Sequence, residues 1–172
     1  TPSLFRDYVF SIDAQGHVAV PAEWRTASTT FKLIPGKEAT LQLYPENTFN
    51  EQIMPKLRQI SATDPVALKM RRQLGKLVCS CVCDKQGRIQ ISPELLKFAN
   101  LEKRAALIGS GDFAQIMTAE RWEAEQRESA FASEDFLDIL GRCKWMVFNL
   151  ISRFCRKKQS NMPCHGPAER CG

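Results

Sequence analysis

The sequence predicts an α+β fold of two tandem β-rich units sharing one core, and three observations lead there. The stretch "IDAQGHVAVPAEWR" is spelled again as "CDKQGRIQISPELL" at a constant offset of 71, through Asp13/Asp84, Gln15/Gln86, Gly16/Gly87, Val18/Ile89, Val20/Ile91 and Glu23/Glu94. Each copy is preceded by an alternating apolar segment and followed by a hairpin signal and then a helical one. Finally, the chain has 172 residues, and half of that could bury little apolar surface alone, so pairing of the two halves is the economical arrangement.

The first unit, 4–48, opens with "YVFSI" as a strand, the Asp13 to Gly16 turn, and "HVAV" as a second strand. Pro21 ends that strand and suits the first turn of a short helix, "PAEWR". In "FKLIPGKEATLQLYP" two apolar runs surround Pro35-Gly36, the pattern of a hairpin. A linking region, 49–76, should hold two helices. Phe49, Ile53, Leu57 and Ile60 recur at helical spacing, with Pro55 placed to split or kink the first. The second, "TDPVALKMRRQL", has Asp64 as N-cap, Pro65 at its first position, and Val66, Met70 and Leu74 on one stripe.

The second unit, 77–123, repeats the order: "KLVCSCVC" as strand, "DKQG" as turn, "RIQI" as strand, then a helix starting at Ser92-Pro93-Glu94. "AALIGSGDFAQIM" is the matching hairpin and "TAERWEAEQRES" the trailing helix, capped by Thr118. A C-terminal helical region, 124–140, comes next. Residues 141–172 form a basic, cysteine-rich tail with no counterpart in the first half, where "WMVFNLISRF" could form a short amphipathic helix and the rest is expected to be disordered. A dispensable extension is the simpler reading of this tail than an anionic-surface or membrane role.

The net charge of +5 does not by itself indicate a polyanionic partner. Residues 1–75 carry 9 basic and 7 acidic groups, 76–140 carry 8 and 11, and 141–172 carry 7 and 1. The excess lies in the tail, so nucleic-acid recognition by the repeated part must rest on local side chains. Seven cysteines, an odd number, no secretory leader and no apolar run near the roughly 20 residues of a membrane helix suggest a reduced cytoplasmic protein. The first residue is not Met, as an incomplete or processed N-terminus would leave it. Cys79, Cys81 and Cys83 alternate on one face of a strand, where they read as small hydrophobes, since C-x-C-x-C lacks the usual zinc spacing. Cys155, Cys164, His165 and Cys171 in the tail match no zinc motif either. No metal or cofactor is expected.

The repeated turn is the most informative motif. In D-x-x-G-[RH] the carboxylate of Asp13 or Asp84 can accept from backbone amides two or three residues on, and Gly16 or Gly87 takes a positive φ at little cost. The next side chain then leaves a rigid turn at the mouth of a strand. In the second copy it is Arg88, whose guanidinium suits phosphate or the bidentate reading of a guanine edge. The same side chain could instead pair with Asp84 or solvate the turn.

At these residues the chain resembles the MraZ family, bacterial regulators built from two SpoVT-AbrB-type units, over roughly residues 4–130. "FRD" at Phe5 to Asp7 is similar to the family's opening F-R-G, both turns are present, and "DPVALKMRRQLG" resembles the helix between the repeats. "GRIQISPELLKFANLEKRAALIGSGDFAQIMTAERW" follows the second unit segment by segment. The resemblance implies a pseudo-twofold, double-psi or swapped-hairpin barrel core with flanking helices and a ring-like homo-oligomer. It further implies binding to repeated promoter DNA upstream of cell-division and cell-wall genes, and a cytoplasmic, nucleoid-associated location. Departures fall on the first turn, where Gln15 and His17 replace the family's Lys and Arg, while the second keeps Arg88 with Lys85 one position earlier. Met117 stands for a frequent Trp, and Asp7 for Gly. Neutral imidazole offers one hydrogen bond and no bidentate fork.

The expected DNA contacts are therefore Arg88, Lys85 and Gln86 in the second unit and His17 and Gln15 in the first, with Arg6 and Arg25 as weaker phosphate contacts. Asp13, Gly16, Asp84 and Gly87 hold the turns. An oligomeric interaction or scaffold protein with weakened DNA affinity is the alternative, motivated by the weakened first turn and the acidic middle segment. An enzyme is not expected. His17 and His165 are the only histidines, neither lies in a nucleophile or metal motif, and no Gly-rich phosphate loop follows a strand. No small-molecule substrate and no membrane partner are expected.

Overall fold

The computed structural model describes residues 3–128 together with 136 and 140. Two compact units divide the chain, Thr1–Arg127 and Glu128–Gly172. Most of the expected helical region 124–140, all of the tail 141–172, its "WMVFNLISRF" segment, and Cys155, Cys164, His165 and Cys171 lie outside the described residues.

The first unit of sequence gives β1 (Asp7–Ser11), β2 (His17–Ala19), α1 (Ala22–Arg25), β3 (Thr30–Pro35) and β4 (Leu41–Pro45). The second gives β5 (Cys79–Val82), β6 (Arg88–Gln90), α5 (Pro93–Phe98), β7 (Arg104–Gly109) and β8 (Ala114–Thr118). Between them lie α2 (Glu46–Thr48), a π-helical turn (Phe49–Ile53), α3 (Met54–Gln59) and α4 (Pro65–Leu77), and α6 (Ala119–Glu128) follows β8. The fold is α+β, with antiparallel ladders throughout.

The two copies exchange their first strands. β1 pairs with β7 of the second copy, with Val9 opposite Ala106, while β5 pairs with β3 of the first, with Phe31 opposite Cys81. Within each copy the hairpin strands pair, β3 with β4 and β7 with β8, and β4 meets β8 across the middle. Swapping the labels of the two copies leaves this pairing scheme unchanged. The six strands run β1-β7-β8-β4-β3-β5, and β2 and β6 form a separate two-stranded ladder. The barrel that the resemblance implies is thus not a closed ring of hydrogen bonds among the described residues, because the six-stranded order ends at β1 and β5 and the ladder β2-β6 stands apart.

The core lies between these ladders. Val18 and Ile89, the central residues of β2 and β6, are buried with Trp24, Phe31, Leu33, Leu41, Leu43, Leu95, Leu107 and Ile116. Trp24 of α1 and Leu95 of α5 occupy the same place in the two copies, and both are buried. The Trp24 indole N–H donates to the Phe5 carbonyl at 3.0 Å, so its one polar atom is satisfied on burial.

Local signals account for the starts of α4, α5 and α6. Asp64 accepts from the Ala67 amide at 2.8 Å, with Pro65 opening α4, and Ser92 accepts from Leu95 at 3.4 Å. Thr118 accepts from Arg121 at 3.3 Å. Two expectations are refined. The helical backbone runs unbroken from Phe49 through Leu57 to Gln59, with Ile60 just past its end, but takes a π turn before Pro55, whose missing N–H leaves the preceding carbonyls to wider pairing. And Lys76 and Leu77, read as strand, end α4, with β5 starting at Cys79.

Candidate nucleic-acid interface

Both repeated turns fold alike, to the level of single hydrogen bonds. Asp13 Oδ1 accepts from the amides of Gln15 at 3.0 Å and His17 at 2.8 Å. Asp84 Oδ1 accepts from Gln86 and Arg88, each at 2.9 Å. The carboxylates thus reach amides two and four residues on, not two and three as the pattern suggested. The Gly16 amide donates to the Asp13 carbonyl and the Gly87 amide to the Asp84 carbonyl, each at 3.0 Å. Gly16 and Gly87 have φ of +82° and +74°, in the left-handed region where glycine carries no Cβ penalty. The amide of the strand's first residue is the dominant influence on each carboxyl: the His17 amide holds Asp13, and the Arg88 amide holds Asp84, below the ordinary carboxylate range.

The fold then ties each turn to the other copy. The Val20 amide donates to the Gly87 carbonyl and the Ile91 amide to the Gly16 carbonyl, both at 2.9 Å. Since β2 and β6 are antiparallel, with Val18 opposite Ile89, the turns enter the ladder from opposite ends. Val18 and Ile89 point inward, and period-2 alternation puts His17, Ala19, Arg88 and Gln90 on the other face.

On that face Arg88 joins the copies. Its Nε donates to Asp84 Oδ2 at 3.0 Å and its Nη1 lies 3.4 Å from Asp13 Oδ2, so the guanidinium bridges the aspartates of both turns. His17 Nδ1 stands 2.9 Å from the same Asp13 Oδ2. The Arg88 side chain is 35% exposed, and such pairs contribute little to stability. A guanidinium carries five N–H donors, so two used on aspartates leave three available.

Of the remaining expected contacts, Lys85, Gln86 and Gln15 are exposed within the turns. Arg25 packs its guanidinium over Gly87, where a Cβ would come within 2.5 Å of it, and donates from Nε to the Val20 carbonyl at 3.1 Å. Its counterpart Leu96 covers Gly16. Arg6 sits apart, at a φ of +70°, its carbonyl accepting from Gly109 at the end of β7. Gln90 is a member of the face that the sequence reading passed over; its Nε2 donates to the Gln15 carbonyl at 3.0 Å. The alternation in "RIQI", which places Gln90 on the side of Arg88, is the signal that could have found it.

The fold and the site thus define a duplicated α+β chain whose copies exchange strands and meet at a ladder bearing two Asx-Gly turns with matching hydrogen bonds. A family model described as "MraZ protein, putative antitoxin-like" matches residues 79–140. "Transcriptional regulator MraZ" of Corynebacterium kroppenstedtii is 33% identical over 143 residues, covering 80% of this chain and 99% of that protein. The proteins of the same name from Shewanella frigidimarina (33% over 121 residues, 67% of this chain and 79% of the relative) and Desulforapulum autotrophicum (34% over 128 residues, 71% and 85%) are similar in extent. The chain belongs to the MraZ family.

Proposed function

We propose that this protein is a sequence-selective DNA-binding transcription regulator that acts on repeated promoter elements as a ring-like homo-oligomer. The observation that carries the reading is the joining of both repeated turns on one ladder, with Arg88, His17 and Gln90 on its outer face and Lys85, Gln86 and Gln15 on the turns beside it. Arg88 is held by the two aspartates in one orientation with donors to spare, which lowers the entropy lost when it reads a base edge or phosphate. Asp13, Gly16, Asp84 and Gly87 shape the turns, and Arg25 buttresses the second. Arg6 contributes at most a peripheral phosphate contact.

Oligomerisation multiplies modest contacts per subunit through effective concentration, so tandem elements are bound although one subunit binds poorly. The stripe on α4 supports self-association: Val66, Met70 and Leu74 are 70%, 57% and 38% exposed. Promoters of cell-division and cell-wall genes are the proposed targets and the cytoplasm, at the nucleoid, the proposed location. No helix among the described residues is long and apolar enough to cross a membrane.

The test is retention of DNA from immediately upstream of the protein's own gene, against a scrambled competitor, over a series of salt concentrations. Phosphate contacts make log K fall linearly with log salt. The measurement is repeated without residues 141–172, whose 7 basic and 1 acidic groups could retain DNA through charge alone. Salt-dependent, competitor-resistant binding by the shortened chain is expected. The second reading, an oligomeric scaffold with weakened DNA affinity, is favoured by the pairing of Arg88 with both aspartates, and predicts an intact oligomer with no DNA binding to titrate.

A further inference from the structure

Directly behind the ladder lies chemistry that DNA recognition does not use. Cys79 and Cys81 project from one face of β5 with their sulphurs 3.6 Å apart, and both thiols face the Gln90 carbonyl, Cys81 at 3.4 Å and Cys79 at 4.0 Å. Both cysteines line a surface cleft with Gln15, Gln90, Ser92 and Pro93, Cys79 half-buried and Cys81 buried. Cys79 is therefore the more solvent-accessible of the two thiols. We infer that Cys79 and Cys81 form an oxidant-sensitive pair, in which a hydroperoxide oxidises Cys79 and Cys81 then closes a disulfide against the back of the β2-β6 ladder.

Closure requires β5 to pucker. Two residues apart on a strand, the Cα atoms are separated by two rises, about 6.6 Å, at the upper end of the span a disulfide bridges, and the parallel Cβ atoms, about as far apart, must approach to roughly 4 Å as the sulphurs close in from 3.6 Å. Electrostatics assigns the roles. The hydrogen bond from the Cys81 thiol, joined by Ser92, favours the Cys79 thiolate over the opposing effects of burial and Glu94. Cys81 is pushed up by that same hydrogen bond and by burial, with Cys83 adding to the effect and Lys32 opposing it. The attacking sulphur is thus Cys79, since the thiolate is the nucleophile.

The Cys79 thiolate attacks one peroxide oxygen. The S–O bond forms as the O–O bond breaks, and the departing hydroxide takes up the proton that Cys79 had released. Cys81 sulphur then attacks the sulfenic sulphur. The S–S bond forms, the S–O bond breaks, and the leaving hydroxide takes the Cys81 proton, so two thiols lose two electrons and one peroxide becomes two waters. The contacts of the two sulphurs with the Gln90 carbonyl are altered, and β5 is drawn in where it pairs with Leu33 and Phe31.

The experiment reads thiols and not DNA, so it stands or falls apart from the proposed function. The reduced full chain is treated with a few equivalents of hydrogen peroxide, alkylated with iodoacetamide and digested with trypsin, which releases residues 77–85 containing Cys79, Cys81 and Cys83. That peptide should weigh 2 Da less than its reduced form and carry a single alkyl group, with reversal by dithiothreitol. Cys79→Ser and Cys81→Ser should each abolish the loss, and Cys83→Ser should keep it. Hydrogen exchange at 88–90 should rise on oxidation. Three alkyl groups after peroxide, a cross-link to a tail cysteine, or a 2 Da loss that survives Cys79→Ser would each overturn the assignment.

Discussion

At the residue scale the two turns differ by two side chains on a shared scaffold, Ala14 against Lys85 and His17 against Arg88, so substitutions at 17 and 88 compare one of the two differences directly. Arg88→Ala should weaken specific DNA binding by about 1–3 kcal/mol per engaged subunit if the guanidinium reads a base edge, whereas His17→Ala should cost less at pH 7.5. His17→Arg should tighten binding, because it gives the first turn the charge and fork of the second. Titration of one promoter fragment against the variants at several salt concentrations checks all three, with oligomer size followed in parallel. Wild-type affinity in an intact Arg88→Ala oligomer would remove the ladder from the DNA-reading role. Acid provides a second residue-scale test. Both aspartates are held below the ordinary carboxylate value of 3.8, so their contribution to folding is fully present above that value and is lost as pH falls below it. Asp13→Asn with Asp84→Asn should therefore be less stable than wild type at neutral pH, with the gap narrowing as the pH drops under 3.8. Urea midpoints measured along that pH series would reveal a constant gap if the turns take no part.

Elements show how one motif can sit in two environments. A Cβ on Gly16 would meet the Ile91 carbonyl oxygen at 2.8 Å, a backbone atom in the joint between copies, as well as the Leu96 side chain at 2.9 Å. On Gly87 the nearest atoms belong to the movable Arg25 side chain. Both substitutions carry the left-handed penalty of about 1–2 kcal/mol, but Gly16→Ala should cost more than Gly87→Ala in equilibrium urea unfolding, while Gly87→Ala displaces Arg25 and registers in DNA affinity. Equal destabilisation would mean that the Ile91 joint yields freely. Helix α4 makes a separate claim. Met70→Glu lies on an exposed face and should leave monomer stability within about 0.5 kcal/mol, yet lower the oligomer mass in light scattering if the Val66, Met70 and Leu74 stripe is covered by another copy. These elements also mark what the sequence discloses. Turns and caps are legible because their chemistry is local: Asp13 with Gly16, Asp84 with Gly87, Asp64 with Pro65. The solvent exposure of the α4 stripe is not, since helical periodicity says which residues share a face and not what covers it. Arg88 was legible as a protruding side chain, but its bridge to Asp13 depends on a contact 75 residues away.

For the whole molecule, duplication revealed that two copies exist and nothing about how they interlock. Pairing β1 with β7 and β5 with β3 requires knowing that first strands cross over, and an alternating pattern serves equally well for pairing within a copy. The crossing has a consequence for folding. Cut between 76 and 77, the first fragment keeps β3 and β4 but leaves β1 without β7 and β2 without β6; the second leaves β5 without β3. Val18 and Ile89, buried opposite each other in the shared β2-β6 ladder, would then be exposed. Neither fragment should fold as a monomer. Because the pairing scheme is unchanged when copies are exchanged, each should fold by pairing, with a second molecule of itself or better with the other fragment. Circular dichroism on 1–76 and 77–140 alone should therefore show unfolded chains at low concentration and a melting temperature that rises with concentration, as mass action requires. An equimolar mixture should melt higher than either. A cooperative transition independent of concentration in either fragment would mean that its hairpin and helices suffice, and that the strand exchange adds specificity to the fold without being the source of its stability.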